Sequence, residues 1–190
     1  MTADAKPSLR SAALNLPNQL TIARVLLSIG LFVCIVRGWF AVAFVSFVVA
    51  ASTDWLDGYF ARRYGMVTVL GRILDPFADK LIICGTYIFL ATIPDSGITA
   101  AMAVVVMGRE LLVTALRSFM ESQGTDFSAD RSGKIKMVLQ CVAAGAGLFQ
   151  LAFQPDWLRP WLPIIAWAAV AVTAYSGVIY VRRAVVAFYD

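Results

Sequence analysis

Residues Asp54 to Asp79 read DWLDGYFARRYGMVTVLGRILDPFAD, and Asp54, Asp57, Asp75 and Asp79 punctuate an otherwise largely apolar stretch. The surrounding chain is 60% hydrophobic and 15% charged, with a mean hydropathy of +0.76. That balance lies outside the soluble range and points to an integral membrane protein. An ionised Asp at the centre of a membrane helix costs roughly 2.5 to 3.5 kcal/mol, so four unpaired ones cost on the order of 10 kcal/mol. Something must compensate them.

The spacing suggests what. At about 100° per residue, Asp54, Asp57, Gly58 and Ala61 share one helical face, with Arg62 at its edge. Gly71, Asp75 and Asp79 follow one another at intervals of four on the next segment and form a stripe there. If the two helices are antiparallel neighbours across the Arg63 to Leu70 connection, the four carboxylates can converge. Oxygen-only ligands of full negative charge suit hard divalent cations such as Mg²⁺, Mn²⁺ or Ca²⁺, and a bound cation removes the burial penalty. Gly58 and Gly71 leave room for a bulky ligand or for close helix approach. Pro76 disfavours helical geometry at Asp75 and removes one backbone donor, so the third helix is expected either to start or to kink there.

Taken in order, Asp54, Asp57, Gly58, Ala61, Arg62, Gly71, Asp75 and Asp79 match the whole signature of the CDP-alcohol phosphatidyltransferases, and the chain resembles that family. The stretches NLPNQLTIAR, GRELLVTALRSFM and SGKIKMVLQ extend the resemblance from about Asn15 to Gln140, toward the branch that uses glycerol 3-phosphate as acceptor. One position departs: Met137 stands where a Thr commonly follows the second Lys of that last motif.

The rest of the chain supplies context. Residues 1–14 are mixed in polarity and lack a signal-peptide pattern, so they read as a cytoplasmic lead before a membrane domain over 15–190. Leu16-Pro17-Asn18 reads as a turn. Six spans are expected: about Leu20 to Val36, Trp39 to Phe60, Leu70 to Ile93, Ile98 to Met120, Gly133 to Phe153 and Trp161 to Ala184. The predicted fold is therefore all-α, with six transmembrane helices around a cytoplasm-facing polar cavity. Cys34, Cys84 and Cys141 sit singly in apolar segments, which argues against a disulfide framework. Histidine is absent, which removes imidazole-based metal sites, triads and proton shuttles.

With six spans, most Lys and Arg fall at one membrane face, and only Arg37 and Arg159 fall at the other. The positive-inside rule then puts both termini and the Asp constellation in the cytoplasm. The net charge of +4 is mainly topological, which argues against nucleic acid as a partner. It also favours anionic membrane lipid.

Charges inside a span are functional hypotheses by default, and the fourth span carries Arg109, Glu110 and Arg117. One reading is a structural Arg109-Glu110 pair with a snorkelling Arg117. In the other, Arg109 and Arg117, about 80° apart on the helix, join Lys134 and Lys136 in bracketing an anionic group such as that of glycerol 3-phosphate. Asn18, Thr21 and Arg24 of the first span are weaker candidates for binding CDP-diacylglycerol. Capping by Asn18 or Thr21 and snorkelling by Arg24 explain them equally well. The paired small residues Gly145-Ala146-Gly147 and Ser176-Gly177 read as packing seams or part of a dimer contact.

The resemblance implies phospholipid biosynthesis: transfer of a phosphatidyl group from CDP-diacylglycerol to glycerol 3-phosphate, giving phosphatidylglycerophosphate and CMP. It implies Asp54, Asp57, Asp75 and Asp79 as ligands of Mg²⁺ or Mn²⁺, two ions per active site, with Asp79 also the base. Gly58, Ala61, Arg62 and Gly71 would shape the CDP pocket. It further implies a homodimer in a bacterial inner (plasma) membrane. An inositol phosphate, serine or another phosphatidyl alcohol as acceptor is the alternative within the family. A cation transporter also places acids in membrane helices, but no internal repeat is visible and these acids lie near one surface.

Overall fold

The structure, a computed structural model, describes the backbone at 16–64, 69–123 and 131–189, and the side chains at 19, 21–52, 76–123 and 133–186. The lead over 1–14 lies outside the described residues. Six helices and no strand occur among the described residues: α1 (Leu16–Val36), α2 (Phe40–Tyr64), α3 (Val69–Leu90), α4 (Ala100–Ser122), α5 (Arg131–Phe153) and α6 (Leu162–Tyr189).

Local chemistry fixes the turns between them. α1 ends where Gly38 takes the left-handed conformation, at φ +74°. The Trp39 amide then donates to Cys34 O at 2.8 Å and the Gly38 amide to Ile35 O at 3.0 Å, closing the last turn in the Schellman pattern. Between α3 and α4, Asp95 and Gly97 are left-handed, and buried Ser96 donates from Oγ to Leu90 O at 2.7 Å. Thr99 caps α4, its Oγ1 accepting from the Met102 amide at 3.4 Å.

Two boundaries differ from the sequence reading. Leu16-Pro17-Asn18 belongs to the first turn of α1 rather than to a preceding turn, because a first-turn proline lacks only an N–H that would have no helical partner. Pro76 does not start α3, which begins at Val69 and runs through the proline. The four-residue interval from Gly71 to Asp79 therefore lies on one continuous helix.

Helix neighbours form a closed ring in the order α1, α2, α5, α6, α4, α3, with α3 and α5 also touching across it. The core draws on all six helices through Leu31, Phe47, Tyr87, Met102, Leu148 and Val170, among others. Ala43, Ala143, Ala144, Ala166 and Ala169 are wholly buried, which lets backbones approach closely, the main source of helix association in lipid. At Gly147 a Cβ would come 2.7 Å from Ser96 O, so α5 packs directly beneath the α3–α4 turn. These small residues serve packing within the chain.

The outer surface is apolar on every helix, with Leu26, Val45, Ile88, Val104, Val138 and Trp167 exposed. Patches of this extent mark contact with lipid or protein. Among the described residues, Gly133–Phe153 and Leu162–Val186 are long and apolar enough to cross a membrane, while Thr21–Val36 and Phe40–Ser52 are apolar but shorter.

Candidate active site

The tight turns close one end of the ring, so the opposite end gathers the start of α1, α3 and α5 with the finish of α2, α4 and α6. Asp54, Asp57, Asp75, Arg117, Lys134 and Lys136 fall in the helix halves toward that end, and Arg24, Asp79, Arg109 and Glu110 lie near the helix centres. Asp54, Asp57, Gly58, Ala61 and Arg62 lie on α2, and Gly71 and Asp75 on α3; their side chains, like that of Asn18 on α1, fall outside the described set. Over the described residues α1 packs closely against both α2 and α3, which meet each other only briefly.

Asp79 is the motif carboxylate whose side chain is described. It is about one third exposed, and its Oδ1 accepts from Arg24 Nη1 at 2.7 Å. Arg24 is 4% exposed, so it does not snorkel: its charge is held inside the bundle against a motif acid. Thr21, one turn earlier, is also buried.

Beside Asp79 opens a pocket of about 630 Å³ between α3, α4, α5 and α6. Its lining carries the cations Lys80, Arg109, Arg117, Lys134 and Lys136 and the acids Asp79, Glu110 and Glu121. Five positive and three negative groups leave a net +2 in their usual charge states. All four cations picked out by the sequence therefore line one cavity, with Lys134 exposed at its rim.

Glu110 organises the buried part. Its Oε1 accepts from Arg109 Nη1 at 3.2 Å and from Lys136 Nζ, and all three residues are nine-tenths or more buried. Arg109 continues across to α6, where Nη2 donates to Ser176 Oγ at 2.7 Å. Arg117 Nη2 reaches Tyr180 Oη at 3.5 Å. The Arg109 and Arg117 guanidinium carbons lie 5.5 and 5.9 Å from the centre of the Tyr180 ring, within cation–π range. Below them Gln140 Nε2 donates to Thr173 Oγ1 at 2.8 Å. Arg109 and Glu110 pair, and the pair lines the cavity.

The sequence profile of the CDP-alcohol phosphatidyltransferases matches residues 14–175. The chain belongs to this family. It is 34% identical over 180 residues to the CDP-diacylglycerol–glycerol-3-phosphate 3-phosphatidyltransferase of Bacillus subtilis (strain 168), covering 86% of this chain and 91% of that one. The Salmonella typhimurium (strain LT2) protein of the same name is 33% identical over 177 residues, covering 90% and 94% respectively. That of Rickettsia prowazekii (strain Madrid E) is 31% identical over 180 residues, covering 88% and 94%.

In this CDP-alcohol phosphatidyltransferase the motif acids offer only carboxylate oxygens, a donor set that fits a hard divalent cation and disfavours soft ones. Among the described side chains no three acids or cysteines gather as a metal-binding group, three of the four motif acids lying outside that set.

Sequence reasoning missed the contribution of α6. Ser176-Gly177 read as a packing seam, yet Ser176 holds Arg109, and a Cβ at Gly177 would come 3.1 Å from Arg109 Cγ. The signal was present in the pattern: Thr173, Ser176, Gly177 and Tyr180 share a helix face, and three of them bear hydroxyls in an apolar span. No motif quoted for the family reaches that far.

Proposed function

We propose that the chain is a metal-dependent phosphatidyltransferase that moves the phosphatidyl group of CDP-diacylglycerol to glycerol 3-phosphate, releasing CMP. The observation that carries this reading is the net-positive pocket of α4, α5 and α6 opening directly beside Asp79. The names of the relatives in three bacteria support the same acceptor.

Each residue then has a task. Arg109, Arg117, Lys134 and Lys136 bind the acceptor phosphate, and a pocket charge of +2 matches a phosphate dianion. Asp79 takes the proton from the acceptor hydroxyl as oxygen attacks the lipid-bearing phosphorus. Arg24 orients the Asp79 carboxylate through its 2.7 Å bond. Asp54, Asp57, Asp75 and Asp79 would hold Mg²⁺ or Mn²⁺. When bound, such ions neutralise charge on the diphosphate and on the leaving CMP. Gly58, Ala61, Arg62 and Gly71, with Asn18 and Thr21 from α1, shape the donor pocket.

Six membrane spans are part of this proposal, supported by the exposed apolar side chains on all six helices. So are a bacterial inner membrane, a site on the cytoplasmic side, contact with membrane lipid and a homodimer. The deciding experiment is an acceptor screen with purified protein, labelled CDP-diacylglycerol and Mg²⁺. Product with glycerol 3-phosphate alone is expected; product with serine or an inositol phosphate instead would redirect the assignment.

A further inference from the structure

Among the described residues Tyr180 is the largest polar side chain enclosed at this end of the bundle, at 1% exposure, and it lines the pocket from α6. Two positively charged groups face its ring. Arg109 and Arg117 come from successive parts of α4 and converge on it at 5.5 and 5.9 Å. Two guanidiniums directed into one pocket repel each other, and burial strengthens that repulsion. An aromatic face between them offsets part of it, since each cation is attracted to the ring quadrupole. The hydroxyl lies 3.5 Å from Arg117 Nη2, and Ser176, one turn back, fixes Arg109 at 2.7 Å. Gly177 lets the α6 backbone seat against the Arg109 stem.

We infer that Tyr180, with Ser176, is a positioning residue for acceptor recognition: α6 holds Arg109 and Arg117 with a fixed separation so that both meet one phosphate. This inference rests on the acceptor reading above. It assigns specificity to a helix outside the motif region, and it makes the ring, more than the hydroxyl, the decisive part of Tyr180.

The test measures steady-state rates of the purified full-length chain in detergent, titrating glycerol 3-phosphate and CDP-diacylglycerol separately. Tyr180→Leu removes both cation–π contacts and should raise the acceptor KM about tenfold. Tyr180→Phe keeps the ring and both cation–π contacts and should raise it no more than about threefold. Ser176→Ala should fall between them. The donor KM should stay within about twofold in all three, a split that a general packing defect would not produce. An unchanged acceptor KM in Tyr180→Leu, an equal rise in both KM values, or a fall in kcat alone would each overturn the inference. Should Tyr180→Leu lose monodispersity, the Tyr180→Phe, Ser176→Ala double variant decides. It is expected to raise the acceptor KM about tenfold, and a wild-type value there is equally fatal. Arg117→Ala run in parallel separates the two levels. If it leaves the acceptor KM unchanged, the pocket does not bind the acceptor phosphate; if it raises the KM while the α6 variants do not, only the role of Tyr180 falls.

Discussion

Arg117→Ala is the cleanest probe of the pocket, because the four cations are not equivalent. Arg109 and Lys136 both lean on Glu110, so removing either also disturbs a buried ion pair. Losing one partner of such a pair costs about 3 to 5 kcal/mol when the other is left uncompensated. Here the remaining cation holds the loss below that range. Among the described residues no carboxylate pairs with Arg117, and its buried Nε lacks a hydrogen-bond partner. Its bonding capacity is therefore available for ligand. A charge-assisted bond to phosphate contributes roughly 1.5 to 3 kcal/mol, so Arg117→Ala should raise the acceptor KM about ten- to a hundredfold. The donor KM should hardly move. Thermal stability in detergent should change by no more than a few degrees, since no ion pair is broken. Arg117→Lys should recover only part of the loss, because an ammonium cannot reproduce the planar fork. Initial rates against glycerol 3-phosphate at saturating CDP-diacylglycerol measure all of this. A wild-type acceptor KM in Arg117→Ala, with the protein monodisperse, refutes the assignment of this pocket to the acceptor phosphate.

Asp79→Asn should lower turnover by at least about a hundredfold while CDP-diacylglycerol still binds, since it removes the base and keeps the volume; substantial turnover in that variant would dismiss Asp79 as base. Exhaustive chelation should stop the reaction and Mg²⁺ or Mn²⁺ restore it, because all-carboxylate donors select hard cations; full activity in metal-free protein counts against the site. Glu110→Gln should lower the thermal midpoint far more than Arg117→Ala, since it leaves Arg109 and Lys136 as buried cations without their shared counter-charge. Equal midpoints for the two variants would show that Glu110 does not hold the cluster together.

Much of the fold was legible because long apolar runs between Gly and Pro breaks mark helices. The six expected spans appear as six helices, with Gly38, the residues around Gly97, and Pro155 and Pro160 at the breaks between them. The misplaced details were at prolines. Pro17 read as part of a turn and Pro76 as a helix start or a kink, but a first-turn proline costs nothing, and one missing bond within α3 is outweighed by packing against α1 and α4, so the helix does not start there. The site was legible where charge stands out against apolar sequence, as at Asp79, Arg109 and Lys136. It was illegible where the groups that contact the cations are hydroxyls. Ser176 and Tyr180 are ordinary in an apolar helix, and nothing local marks which of them faces a cation 67 or 63 residues earlier in the chain.

The arrangement of charge gives the pocket a direction. Asp79 and Lys80 on α3 balance each other, while the four cations on α4 and α5 exceed Glu110 and Glu121 by two charges. An acceptor with an anionic group at one end and a neutral hydroxyl at the other fits that polarity, hydroxyl toward Asp79. A neutral polyol would leave Arg117 without the ligand its position favours, losing about ten- to a hundredfold in affinity by the same estimate as above. On the proposed reading, discrimination among acceptors would come from the net positive charge that α4 and α5 bring to the pocket. On the same reading Arg24, bonded to Asp79 from α1 at 2.7 Å, would hold that carboxylate toward the acceptor hydroxyl.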